Sequence, residues 1–221
     1  MENYKVYNQR HIIAGIVLPI LYTVGVVGVL LAVHPDFLLL TPVILLVSLA
    51  TVLSCHQPEK DWKELAFFCG LVFIVGFTLE AVGVQTGVIF GRYQYGETLG
   101  YKWLDAPLMI GINWVLLVYI TGATVRQFMP FAWPIIQAVI AAALMTLLDF
   151  LIEPVAIKYD MWHWLGDGSV PVQNYFAWFD IGFLMQLAFI YLVPQVNNRT
   201  APLLLLLQFL FFLSLYFTAL G

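Results

Sequence analysis

The chain has 221 residues, of which 62% are hydrophobic and only 10% charged, and its formal net charge is −4. A soluble domain of this size would leave most of that apolar surface in water, so the composition places the chain in a membrane. There is no basic run, Gly-rich phosphate loop or nucleic-acid module, which excludes nucleic acid as a partner and leaves lipids and apolar small molecules.

Apolar stretches of about 20 residues are long enough to cross the hydrocarbon core. They predict an all-α polytopic bundle of seven spans, near residues 11–33, 37–55, 65–86, 104–126, 131–157, 174–194 and 201–220, forming one integral-membrane domain over 1–221. The first stretch is too long for a signal-peptide core and no small-residue cleavage site follows it, so it reads as the first span. Short polar or Pro-containing segments separate most spans, among them His34-Pro35-Asp36, Gln57 to Glu64, Gln127 to Pro130 and Pro194 to Pro202. Two connections, 87–103 and 158–173, are longer and richer.

With spans alternating in direction, Lys5, Arg10, Lys60, Lys63, Arg126 and Arg199 collect on the N-terminal side, against Arg92, Lys102 and Lys158 on the other. The positive-inside rule then predicts a cytoplasmic N-terminus. Cys55 and Cys69, the only cysteines, are too few and too isolated for a disulfide framework or a metal cage.

The same alternation brings Glu80 late in span three, Asp105 opening span four, Asp149 and Glu153 late in span five, and Asn174 opening span six to one end of the bundle. Both long loops lie there as well. Polar chemistry is thus expected at one mouth of the bundle.

Glu80 stands in an otherwise apolar stretch with no cation one turn away. It is either a buried functional acid or a carboxyl snorkelling to the interface. The loop from Gly87 to Gly96 carries Arg92, Tyr93 and Tyr95, and Tyr159 to Trp164 repeats the aromatic theme with Trp162. These residues either roof a site or form an interfacial aromatic belt. Arg92 and Lys158 are placed to pair with the acids or to anchor the chain. Asp105 before Ala106-Pro107 has the pattern of a helix N-cap, which by itself accounts for it. Asn113 and Trp114 lie two turns deeper, placed to hydrogen-bond a polar group in a cavity or to join two helices.

Asp149 and Glu153 stand at i and i+4, so on a helix their carboxyls leave one face, close enough to share a proton or a water. Ionised acids at depth cost several kcal/mol each, so the pair is expected to face the bundle interior. A neutral carboxylic acid in an apolar pocket is a usable proton donor. Pro154 removes a helical hydrogen bond to the Phe150 carbonyl, predicting a kink or opening beside Glu153. The alternative is that the two acids only bond neighbouring helices together.

Several classes fail on the residues. The last span has no lysine for a retinal Schiff base, His11, His34, His56 and His163 are too scattered for a diiron centre, and no paired Asp-rich motif is present to hold Mg²⁺ and pyrophosphate. No metal ligands are assigned.

Thr78 to Gly87, Phe90 to Tyr95, Leu148 to Ala156, Trp162 to Trp164 and Val170 to Tyr175 together resemble the bacterial and archaeal carotenoid biosynthesis membrane-protein family. The resemblance runs in order over about 65–180; the first and last spans match only in hydropathy. Characterised members are carotenoid hydratases, so the resemblance implies a prokaryotic plasma-membrane protein that takes a carotenoid from the lipid phase, with other carotenoid enzymes as possible neighbours. It further implies addition of water across the terminal 1,2 double bond of an acyclic ψ end group, as in lycopene or γ-carotene.

Such an alkene is a very weak base. It needs a positioned acid and surroundings that stabilise a tertiary carbocation, a redox-neutral task that requires no cofactor. The expected catalytic set is Asp149, Glu153 and Glu80. The expected substrate-binding set is Asp105, Asn113, Trp114, Tyr93, Tyr95, Arg92, Trp162 and Asn174. Cyclisation of the same end group, a small proton-coupled transporter and a carotenoid-binding subunit stay open as alternatives.

Overall fold

The computed structural model describes residues 2–32, 34–58 and 61–220. Val33, assigned above to the end of the first span, and Glu59 and Lys60 of the second connection lie outside the described residues, as does the side chain of Lys5. Seven helices carry the chain: α1 (Glu2–Leu30), α2 (Thr41–Ser54, preceded by a 3-10 turn, Pro35–Leu40), α3 (Trp62–Thr86), α4 (Leu108–Phe128), α5 (Pro134–Lys158), α6 (Val172–Leu192) and α7 (Thr200–Leu220). All seven are long and apolar enough to cross a bilayer, α2 together with its 3-10 turn. The protein is an all-α polytopic membrane bundle.

Its surface is what such a bundle requires. Ile12, Ile16 and Ile20 of α1, Phe67 and Ile74 of α3 and Phe217 of α7 are exposed, a face that water would penalise and lipid does not. The central helix is α4, packed against α2, α3, α5, α6 and α7. Its run from Trp114 to Ala123 is buried throughout. Helices associate in lipid by close packing, since burial from an apolar solvent gains little. Gly76 on α3 shows how: a Cβ there would stand 2.7 Å from Cγ of Trp114, so the bare backbone is what lets that indole lie against α3.

Four short strands occupy the two connections at one end of the bundle, 87–107 and 159–171, the first running four residues past the start expected for the fourth span. β1 (Tyr93–Tyr95) pairs antiparallel with β4 (Trp162–Trp164), in the register Tyr93↔Trp164, Gln94↔His163, Tyr95↔Trp162. Two loops remote in sequence are therefore one ribbon lying over the bundle mouth. The ladder continues through Leu165 N–H to the Arg92 carbonyl and Gly96 N–H to the Met161 carbonyl, both 2.9 Å. Gly96 admits no side chain, because a Cβ would fall 2.0 Å from the Asp160 carbonyl oxygen.

β2 (Lys102–Trp103) and β3 (Ala106–Pro107) form a small hairpin turned by Leu104 and Asp105, both at positive φ (54° and 62°). That is the two-residue turn geometry favoured between twisted strands. It corrects the expectation for Asp105: residues 102–107 pair with each other, α4 begins only at Leu108, and the N-cap position is Pro107, with no side-chain capping bond. Asp105 is a turn residue.

Candidate functional site

Three carboxyls are buried beneath the ribbon: Glu80 on α3, and Asp149 and Glu153 on α5, exposed by 3%, 1% and 2%. Glu80 lies six residues before the end of α3 and Glu153 five before the end of α5, so both sit roughly 7–9 Å inside the helix ends at the α-helical rise. Asp149 lies one turn deeper. α5 runs unbroken through Pro154 and presents both of its acids to α6.

Each glutamate is held by three donors. Glu80 accepts the phenolic hydroxyls of Tyr93 (2.6 Å) and Tyr95 (2.7 Å) on Oε2, and the indole N–H of Trp114 (3.0 Å) on Oε1. Glu153 accepts the indole N–H groups of Trp162 (3.0 Å) and Trp164 (2.8 Å) on Oε2, and the Asn174 amide (3.1 Å) on Oε1. The same Asn174 nitrogen donates to Oδ2 of Asp149 at 2.9 Å. Among the described residues, no other side chain donates to Asp149.

The ribbon makes this possible through strand alternation. Residues 93, 95, 162 and 164 fall on one face of a two-stranded sheet and 94 and 163 on the other. Both tyrosines and both tryptophans accordingly point down to the carboxyls, while Gln94 and His163 face outward. Burial first, and then the neighbouring Glu80 carboxyl, push the phenols of Tyr93 and Tyr95 well above their ordinary range, so both remain donors at any working pH.

Phe90, Ile110 and Trp178 complete the walls of a cavity of ≈ 20 Å³ between the three carboxyls. A single water needs about 10–15 Å³ and two or more polar partners, so the cavity has room for one. Trp178, which lines the cavity, stacks on Trp114 at 4.2 Å and 12°, while the Trp114 N–H holds Glu80. Ile110 and Trp162 also line a larger, mostly apolar cavity of ≈ 90 Å³ that runs between α1, α2, α4, α5 and α7. The two cavities share this wall, so the carboxyls lie one layer of side chains away from apolar space.

The structure thus gathers Glu80, Asp149, Glu153, Tyr93, Tyr95, Trp114, Trp162 and Asn174 in one place. Asn113 lines the larger cavity. Arg92 and Asp105 are exposed and stand outside both cavities. Lys158 donates to the Thr218 carbonyl, leaving the acids to phenols, indoles and an amide in place of a cation.

Ile110 and Trp178 have no place in the expected site, and Trp164 enters it only as part of an aromatic segment that could roof one. Trp164 was legible as the i+2 partner of Trp162 had the segment been read as a strand. Trp178 stands one helical turn after Asn174, on the same face.

Fold and site together define an integral-membrane helical protein with a buried carboxyl cluster under an aromatic ribbon, beside an apolar cavity. A family model described as carotenoid biosynthesis protein matches residues 40–220, and the chain belongs to that family. No curated protein and no solved structure matches it.

Proposed function

We propose that the protein is a carotenoid hydratase, adding water across the terminal 1,2 double bond of an acyclic ψ end group. The observation that carries this reading is the water-sized cavity lined by three carboxyls and sharing a wall with an apolar cavity. A hydratase must bring an acid, a base and one water to the end of an otherwise apolar molecule, and these two cavities meet at that requirement.

Asp149 is the proton donor in this scheme, because Glu80 and Glu153 are each occupied by three donors while Asp149 has only Asn174. Its proton passes to C2, the less substituted alkene carbon, and the π pair becomes the new C–H bond. The tertiary cation left at C1 faces the Trp178 and Trp162 rings, which stabilise positive charge through their π faces. The cavity water attacks C1 and gives its extra proton to Glu153 or Glu80. Return of that proton to Asp149 closes the cycle, with one water consumed and no change of oxidation state. Asn174, bridging Asp149 and Glu153, positions the two carboxyls.

The water-sized cavity favours this outcome over cyclisation, in which the cation is trapped by a neighbouring alkene. The site residues, a single domain over the whole chain, a prokaryotic plasma-membrane location and a cytoplasmic N-terminus belong to the same proposal. The experiment is mass spectrometry of pigments from a lycopene-producing bacterial host that expresses the chain. A product heavier by one water is expected; an isomeric cyclic product would replace hydration by cyclisation, and no conversion of lycopene or γ-carotene would remove both.

A further inference from the structure

At the end of the bundle opposite the carboxyls, three connections between helices wall a crevice of ≈ 460 Å³. Gln57 comes from the α2–α3 connection, Pro130 from the α4–α5 connection, and Gln195 and Asn197 from the α6–α7 connection. The Asn197 N–H donates to the Gln57 carbonyl at 2.9 Å and holds two of these segments together. Arg126 in the last turn of α4 and Gln137 in the first turn of α5 also line it.

Arg126 donates through Nη1 to the Val193 carbonyl and through Nη2 to the Pro194 carbonyl. These bonds cap α6 and pin the guanidinium at the crevice wall. A guanidinium carries more N–H donors than these two bonds use, so others are left for a ligand. Among the described residues no acid lines the crevice and no carboxylate pairs with Arg126. The crevice is therefore polar and holds a fixed positive charge without a counter-ion from the protein, which suits an anion and above all a phosphate.

Its level in the bundle narrows the ligand. Arg126 lies two residues before the end of α4 and Gln137 three after the start of α5, so the crevice opens at the helix ends, where lipid headgroups lie. Beside it the α4–α5 connection exposes Phe131 and Trp133, and α5 continues with exposed Ile135 and Ile136. Aromatic rings at the interface above an apolar helix face match the glycerol and acyl chains of a lipid. A zwitterionic headgroup would bring its own cation to a crevice with no acid to receive it.

We propose that this crevice binds the headgroup of an anionic phospholipid, with Arg126 holding the phosphate and residues 129–133 lying against the glycerol and upper acyl chains. The site is remote from the carboxyls and does not depend on the hydratase reading.

The test is native mass spectrometry of the purified full-length protein in detergent, titrated with dioleoylphosphatidylglycerol, dioleoylphosphatidylcholine or glycerol 1-phosphate. Wild-type protein is expected to bind phosphatidylglycerol about tenfold tighter than phosphatidylcholine, and glycerol phosphate too weakly to saturate over the same range. Arg126→Gln is expected to remove the preference, but it also removes the cap of α6. Gln195→Glu avoids that: Gln195 is exposed, and a carboxylate there puts a negative charge in the crevice while leaving both Arg126 bonds in place. It is expected to abolish the preference too. Arg199→Gln removes an exposed cation that does not line the crevice, and is expected to leave the preference within about twofold of wild type. Equal wild-type affinities for the two lipids, a preference that survives Gln195→Glu, or its equal loss in Arg199→Gln would each overturn the proposal. Glycerol phosphate binding as tightly as the lipid would overturn it as well, assigning the crevice to a soluble phosphate ester.

Discussion

Tyr93 and Trp164 face each other across the two-stranded ribbon, yet each donates to a different buried carboxyl, Tyr93 to Glu80 and Trp164 to Glu153. Their rings are 5.2 Å apart. One cross-strand pair therefore joins the acid of α3 to the acid pair of α5 through a ribbon outside the membrane spans.

Removing the acid proposed as proton donor is the most direct challenge to the chemistry. Asp149→Asn is expected to lower hydration of lycopene by about 10²-fold or more, the ordinary worth of a general acid. Glu153→Gln is expected to do the same if it takes the proton from water. Both are near-isosteric and should accumulate normally, so pigment mass spectrometry normalised to membrane protein content reads chemistry alone. Full activity in Asp149→Asn would move the donor role to another carboxyl.

The phenols bear on stability as well as geometry. Tyr93→Phe and Tyr95→Phe each delete one hydrogen bond to Glu80, worth about 1.5–3 kcal/mol when the acceptor is charged. The double variant should depart from additivity, because both hydroxyls share one oxygen. The folded phenols titrate above the unfolded value, so the unfolded chain loses protons first; their stabilisation is present below about pH 10 and is lost as pH rises beyond it. Thermal unfolding in detergent at pH 8 and pH 11 should show a smaller alkaline loss in the double variant than in wild type.

Gly96→Ala tests the ribbon itself. The added methyl would collide with the Asp160 carbonyl, and the clash can be relieved only by parting β1 from β4. Loss of most hydration activity is expected while all seven spans still insert, since the helices do not depend on the ribbon for their apolar surface. Normal turnover with normal accumulation would show that the ribbon tolerates displacement and does not position the acids.

At the other end of the bundle His56 is fully buried, with Nδ1 2.9 Å from the Tyr119 hydroxyl. Burial lowers its proton affinity below the ordinary histidine value. The unfolded chain then binds the extra proton, so stability is expected to fall as pH drops below about 6.5 and to keep falling until the folded histidine titrates. His56→Gln should flatten that acid limb in a thermal-unfolding series between pH 7.5 and 5. An unchanged limb would assign it to another group.

The number of helices, their alternation and the collection of Glu80, Asp149, Glu153 and Asn174 at one end were legible in the linear chain. Each follows from local rules: an apolar run long enough for the bilayer, a reversal at each connection, and the 3.6-residue period that puts 149 and 153 on one face. Tertiary structure alone decided that residues 93–95 pair with 162–164, that Arg92 and Asp105 face away, that Trp178 stacks on Trp114, and that Asp149 is the least encumbered acid. The ribbon pairing joins segments almost seventy residues apart, and a three-residue strand has too little pattern of its own to specify its partner. Its register is set by four aromatic N–H and O–H groups finding two buried carboxyls, an energetic match that exists only once α3, α4, α5 and α6 have brought those carboxyls together.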